Sequence, residues 1–291
     1  MEQVTILQAG KDPISASLWP AVDARASIII HPATAVPQDF YRPFAEHLNR
    51  SGFTVLSYDY RGIGRSRQKD IRQYDVSMSD WMLEDATYVT DWIAHRVPDL
   101  PILAVGHSVG GHAIALSPAT RSVKAAVMIA SHAGITALIE KPAERFRVGL
   151  IMRVLTPVLC SLCGYMPTRR LGSGEDLPRG VMQQWSHWTR QPHYFYDDPQ
   201  LDARKRASQV DIPVLSLGFD DDPWANPRAI SRLLEPLSQA SIERLHLEHK
   251  KLGLPHIGHM GFFRQRNAEA LWPIVVNWLI TQSTASPQSN S

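Results

Sequence analysis

The chain has 291 residues, 44% of them hydrophobic and 20% charged, a size and balance that suit one large soluble α/β domain, or such a domain with an insertion. Its net charge of +2 comes without a basic block or stripe, which argues against nucleic acid and for a small-molecule partner. Two cysteines, Cys160 and Cys163, are too few for a disulfide framework or a closed zinc site, and their apolar surroundings predict buried structural thiols.

The N-terminus lacks a basic region followed by an apolar one, so no signal peptide is expected. The uncharged stretches Leu100 to Thr120 and Val154 to Thr168 are interrupted by histidine, proline and glycine, so no transmembrane segment is expected and the compartment reads as cytoplasmic. The oligomeric state is not encoded in any recognisable pattern.

Taken in order, Val4 to Leu7 and Ile14 to Trp19 flank Gly10-Lys11-Asp12-Pro13, the turn chemistry of a hairpin. Ala26 to Ile30 is a short apolar run that reads as a buried strand and ends in His31-Pro32-Ala33-Thr34. A helix carrying Phe40, Tyr41, Phe44 and Leu48 follows, stopped at Gly52. Phe53 to Tyr58 is the next strand, and then a helix with Trp81, Ala86, Val89 and Ile93, started by Ser79 or Asp80 and stopped by Pro98. Pro101 to Val105 is a strand running into Gly106-His107-Ser108-Val109-Gly110, and Ala125 to Ala130 is another. Strands alternating with helices imply crossover connections and a parallel sheet.

The alternation breaks between 132 and 208. Arg147 to Leu162 reads as a helix kinked at Pro157, a loop surrounds Gly172-Ser173-Gly174, and an aromatic segment spans Trp185 to Tyr196. A structureless loop of that length is unlike a compact domain, so the segment reads as an inserted helical cap. The alternation resumes at Ile212 to Leu217, continues with a helix near Asn226-Pro227 and the strand Ile242 to Leu247, and closes with a helix bearing Leu271, Ile274, Val275, Trp278 and Leu279. The expected organisation is an α/β core over 1–131 and 209–282, a cap over 132–208 and a disordered tail over 283–291.

A serine at the apex of a strand–turn–helix, between glycines that let strand and helix approach, is the layout of a nucleophile elbow. A serine hydroxyl needs a base to take its proton and an acid to orient that base. In an open parallel sheet such groups gather at the carboxyl ends of the strands. Asp220, Asp221 and Asp222 follow the penultimate strand, and His256 and His259 follow the last. The order Ser108, aspartate, His259 is that of an α/β-hydrolase. Twelve histidines show no metal-ligand spacing, and no cofactor or metal is expected.

These motifs resemble the α/β-hydrolase superfamily. Asp59 to Ser66 is similar to its DxRGxGxS stretch, and His31-Pro32-Ala33 stands where many members have His-Gly-X. A closer resemblance is to a bacterial group of predicted serine hydrolases, through the His-Pro-Ala-Thr loop, Leu177-Pro178, Trp185, Trp188, Asp221-Asp222-Pro223 and Ile257 to Arg264. It implies a mostly parallel central sheet flanked by helices, with a helical cap, and Ser108 as nucleophile. The acid is Asp222 counted from Pro213, or Asp221 counted from Gly218. His259 matches the Gly-His of the last loop. The backbone N–H of Val109 and, by the resemblance, of Ala33 would form the oxyanion hole, with Thr34 the alternative. His31 is expected to brace that loop, His107 to pack, and Arg61 to bond carbonyls or Asp59.

The activity implied is cleavage of a small ester or thioester, carboxylesterase- or lipase-like. An acyltransferase and a weakly catalytic binding protein of the same fold are the alternatives. Apolar cap residues, among them Leu150, Val154, Leu155, Val158, Trp185 and Trp188, are candidates to line the substrate pocket or to glue the cap to the sheet.

Overall fold

The computed structural model describes residues 1–172 and 174–285. Among the described residues ten strands form in chain order: β1 Glu2–Ile6, β2 Ile14–Trp19, β3 Ala26–His31, β4 Phe53–Tyr58, β5 Ile102–His107, β6 Val123–Ile129, β7 Tyr165–Met166, β8 Leu177–Pro178, β9 Pro213–Phe219 and β10 Ser241–Leu247. Eight of them make one sheet in the order β1-β2-β4-β3-β5-β6-β9-β10. β2 pairs antiparallel with both of its neighbours, and every other pairing is parallel. The β1–β2 hairpin is thus the antiparallel edge that its turn chemistry predicts. β3, β4 and β5 are buried at every residue, because helices cover both faces of a parallel sheet.

The helices are α1 Arg42–Arg50, α2 Met78–Asp80, which passes through a π turn over Trp81–Asp85 into α3 Ala86–Arg96, α4 Val109–Leu116, α5 Pro142–Leu150, α6 Thr156–Cys163, α7 Arg179–Trp188, α8 Ala203–Ser208, α9 Pro227–Leu234 and α10 Ala268–Thr284. The start of α2 differs from expectation. Ser77 is the cap, its hydroxyl bonding the Asp80 N–H while the Asp80 carboxylate takes the Ser77 N–H. This reciprocal box places Asp80 inside the first turn instead of ahead of it. Asn226 caps α9 and Pro227 opens it.

Between β6 and β9 lie α5 to α8 and the two-residue strands β7 and β8, which pair antiparallel. The small sheet was not legible in the sequence, where Leu177-Pro178 carries no alternation. A π turn over Ile151–Leu155 joins α5 to α6, so one helix runs from Pro142 to Cys163. Pro157 has no N–H to give to the preceding turn, and the wider π turn directly ahead of it absorbs that loss. Ser186 Oγ donates to the Met152 carbonyl in the π turn. Cys160 is fully buried and its thiol is pushed up to about 11 by burial, whereas Cys163 is only half-buried. The C-terminal helix extends through Thr284, with Lys124 Nζ bonding the Ser283 carbonyl at 2.9 Å, so the expected tail begins later than 283. Residues 286–291 of that tail, and Ser173 of the expected loop, lie outside the described residues.

Candidate active site

Ser108 sits between β5 and α4 with φ +53° and ψ −111°, a conformation L-residues rarely adopt. Its backbone is fixed on both sides: Ser108 N–H donates to the Ile129 carbonyl at 2.9 Å, and Gly111 N–H returns to the Ser108 carbonyl at 3.0 Å. The flanking glycines answer to close contacts. A Cβ on Gly106 would lie 2.5 Å from the Gly110 carbonyl, and one on Gly110 would lie 2.1 Å from the His31 carbonyl. Strand and helix are therefore packed backbone to backbone around a half-exposed serine.

Beyond the ends of β9 and β10, Asp222 and His259 meet. His259 Nδ1 is 2.7 Å from Asp222 Oδ2, with the carboxylate fully buried and the imidazole 10% exposed. Asp222 Oδ1 accepts the N–H groups of Trp224 and Ala225 at 2.9 and 3.1 Å. Burial alone would raise this carboxyl, but the charge and hydrogen bond of His259, then His132 and the backbone donors, hold it well below the usual carboxylate range. It is an ionised acceptor, so His259 carries its proton on Nδ1 and leaves Nε2 as the lone pair. Asp221 points elsewhere. It accepts the N–H groups of Ile257 and Gly258 at 2.8 and 2.7 Å and lies 2.6 Å from His256 Nδ1, tying down the loop that carries His259. Among the described residues, no hydrogen bond joins Ser108 Oγ to His259.

The loop after β3 departs from expectation. Ala33 N–H is engaged with Tyr41 Oη at 2.8 Å, so it is not available to an oxyanion. Among the described residues Thr34 N–H has no partner, and its hydroxyl is buried without one as well. Val109 N–H, at the start of α4, is likewise unpartnered there. His31 does not brace this loop. Its Nδ1 reaches back to Tyr58 Oη at 2.9 Å, and burial lowers its pKa to about 3.

His107 does more than fill space. Its Nε2 is 2.9 Å from the His259 carbonyl and its Nδ1 is 2.9 Å from Tyr41 Oη. The carbonyl can only accept, so Nε2 carries the proton and Tyr41 donates to Nδ1. A buried chain thus runs from Ala33 N–H through Tyr41 and His107 to the histidine loop. Burial keeps His107 neutral, with a pKa lowered to about 3. The same loop is anchored in the core by Phe262 and Phe263, which pack on Phe44 and on each other.

Two further residues at the site escaped the sequence reading. Trp224 lies edge-on to His259, with ring centroids 4.9 Å apart, and its Nε1 donates to Glu144 on α5 at 2.7 Å. His132, just past β6, packs at 88° against His259 with 5.5 Å between centroids. Its position after a strand end was visible; its packing partner was not. Of the pocket candidates, Trp188 is fully buried, bonds Asp198 through Nε1 at 2.7 Å and packs edge to face with Tyr194 and Phe195, so it is core and not lining. Trp185 and Leu155 are half-buried, while Leu150, Val154 and Val158 face outward.

Arg61 does not bond Asp59 but pairs with Asp85 and Glu84 on the π turn before α3, at 2.5 and 2.8 Å. Asp59 instead accepts from Gln38 and from the Arg65 N–H. Asp220, Asp221 and His249 bring ligand atoms within 4.8 Å of one another. Their polar atoms already serve one another and the loop backbone, with His249 N–H and Nδ1 both on Asp220 at 2.9 Å.

A family model described as serine aminopeptidase, S33, matches residues 23–251. The chain is 30% identical over 95 residues to a monoacylglycerol lipase from Mycolicibacterium smegmatis, a match that covers 32% of the chain and 33% of that protein. The chain therefore spans about a third of the length of the curated relative it matches. Among solved structures it is similar to a thermostable carboxyl esterase from Bacillus coagulans, with a TM-score of 0.67 at 14% identity, covering 97% of this chain and 99% of that one. It is also similar to a soluble variant of monoglyceride lipase from Saccharomyces cerevisiae, with a TM-score of 0.69 at 13% identity, covering 98% and 96%. These similarities show a shared fold.

Proposed function

The chain belongs to the serine aminopeptidase, S33 family of the α/β-hydrolase superfamily, and from that premise we propose that it is a serine hydrolase cleaving a small ester or thioester through an acyl-enzyme. The observation that carries the reading is the bond of His259 Nδ1 to a buried, ionised Asp222, in the loop beside a serine held at positive φ. His259 Nε2 takes the Ser108 proton as Oγ attacks the acyl carbonyl, and returns it to the leaving alcohol or thiol. Asp222 holds the imidazole in the required tautomer and stabilises its cationic form. The developing oxyanion is received by the N–H groups of Val109 and Thr34, the former also at the positive end of α4. Water, activated by the same His259, then releases the acid and restores Ser108.

Residues 132–208 act as a cap over this site. Two contacts support that role: Glu144 bonded to Trp224 beside His259, and Glu175 N–H bonded to the Ala35 carbonyl in the oxyanion loop at 2.9 Å. The relatives named as monoacylglycerol lipase and carboxyl esterase make an acyl ester of a small alcohol the substrate class to try first. The test is a panel of esters and thioesters of graded chain length, run on the wild type and on Ser108→Ala. Turnover of at least one ester that disappears in Ser108→Ala is expected. Turnover that survives the substitution would place the chemistry elsewhere.

A further inference from the structure

The helix from Pro142 to Cys163 is long and apolar, and its outer side has no partner among the described residues. In its most apolar 18-residue window the mean hydropathy is 1.6, yet only 17% of that window is buried. Phe146, Leu150, Val154, Val158 and Leu162 recur at every fourth position and are 73%, 42%, 48%, 48% and 79% exposed. In a regular α-helix such a spacing drifts by about 40° at each step. The π turn over Ile151–Leu155 winds more slowly per residue and offsets part of that drift. The result is one continuous apolar stripe. Phe146, Leu150 and Val154 also border an open groove of about 550 Å³, with Arg145 and Arg153 among its lining.

Arg147 and Arg169 pair with Glu144 and Glu175, and the charge left unpaired near the stripe is positive. From Arg145 to Gly174 the sequence has Arg145, Arg147, Arg153, Arg169 and Arg170 and no acidic residue, in a chain whose net charge is only +2. Arg145, Arg153 and Arg170 are exposed and form no ion pair among the described residues. The helix cannot cross a bilayer, because Met152, Thr156 and Cys160 on its other side are packed into the protein. Nor is a second copy of the chain a good cover, since it would bring two arginine-rich faces together.

We propose that this face is a membrane-docking surface, with the helix lying flat in the interface of an anionic lipid bilayer. Its apolar stripe enters the headgroup–acyl boundary while Arg145 and Arg153 meet lipid phosphates. The same helix carries Glu144, which bonds Trp224 beside His259, so docking sets the cap against the bilayer one residue away from the base. Only this last point rests on the hydrolase reading; lipid binding itself does not.

The experiment is vesicle flotation of the full chain, as wild type and as Ser108→Ala, so that binding is read without turnover. One set of vesicles is phosphatidylcholine and the other an equal mixture with phosphatidylglycerol. Both proteins float with the anionic vesicles, and raising the salt weakens the association. Phe146→Ser/Leu162→Ser lowers the bound fraction by about tenfold or more. Arg145→Gln/Arg153→Gln removes the preference for phosphatidylglycerol. Thermal melting checks that these surface variants fold. Failure of folded wild type to float, or equal flotation of Phe146→Ser/Leu162→Ser, overturns the proposal. So does a dimer in size-exclusion chromatography that the same two substitutions dissociate, which would make a second copy the occupant.

Discussion

Three adjacent aspartates end β9, and their neighbours give each a different task. Asp220 is bound to His249, Asp221 fastens the N–H groups of Ile257 and Gly258, and Asp222 bonds His259. The consequences of removing each charge separate accordingly. Asp222→Asn should lower kcat on the order of 10⁴-fold, because an amide facing Nδ1 favours the wrong imidazole tautomer. Asp221→Asn should lower stability by about 1–3 kcal/mol, since it weakens two part-buried charge-assisted bonds, and leave most of kcat in place. Steady-state kinetics and urea unfolding on the two variants check this pair of outcomes. The opposite assignment of effects would make Asp221 the orienting acid.

Counting nine positions from Pro213 reaches the aspartate that bonds His259 because strand register sets height above the sheet, and register is a local property. Ser108 was legible for the same reason, lying at the end of a visible apolar run, and His259 through the Gly-His of the last loop. Trp224, His132 and Tyr41 were not legible as parts of the site. Trp224 and His132 meet His259 from 35 and 127 residues away, and Tyr41 meets His107 from 66 away; an isolated aromatic gives no sign of which surface it will meet. The Ala33 N–H is taken by Tyr41, which was expected inside the first helix and lies in a 3-10 turn just ahead of it; no spacing reveals where its hydroxyl ends.

At the level of elements, the β5–α4 elbow depends on backbone contact that no side chain can share. Gly110→Ala puts a methyl carbon 2.1 Å from the His31 carbonyl, so strand β3 or helix α4 has to shift. A destabilisation of about 1–3 kcal/mol is expected, together with loss of activity as Ser108 moves relative to His259. Chemical unfolding monitored by tryptophan fluorescence measures the first, and ester turnover the second; an unperturbed midpoint would mean that the elbow is looser than this packing requires. The long helix shows the limit of pattern reading. Its apolar positions were assigned to the pocket or the cap interface, but they form two faces. Met152, Thr156 and Cys160 turn inward, and Phe146, Leu150, Val154, Val158 and Leu162 turn outward. An apolar residue every fourth position says that a face exists, not what it faces.

For the molecule as a whole, buried imidazoles set the acid limit of stability. Burial lowers His31, His107 and His112 to about 3 and His132 to about 4, against an ordinary value of 6.5. Between those values the unfolded chain binds more protons than the folded one. Stability is therefore complete above about pH 6.5 and declines as pH falls toward 4. Asp85 acts in the opposite sense, its carboxyl raised by burial to about 6, so its contribution fades as pH rises through that value. Asp59 is raised by burial in the same sense, but four histidines against two aspartates still make the net slope positive. Melting temperatures across this range should drop with acidity, and His112→Gln should flatten the curve. A flat profile in the wild type would mean that these imidazoles protonate without unfolding.

The parallel core followed from alternation, because buried parallel strands are short apolar runs between helices; the order of the strands in the sheet did not. The arrangement between β6 and β9 did not, since helices packed on one another leave no comparable rhythm. The central claim nevertheless concerns a single atom, Ser108 Oγ, activated by His259. Intact-protein mass spectrometry after brief exposure to a fluorophosphonate reads it most directly. One covalent adduct, mapped to Ser108, absent in Ser108→Ala and slowed severely in Asp222→Asn, is the predicted result. No adduct on folded wild-type protein, or an adduct that persists in Ser108→Ala, would contradict it.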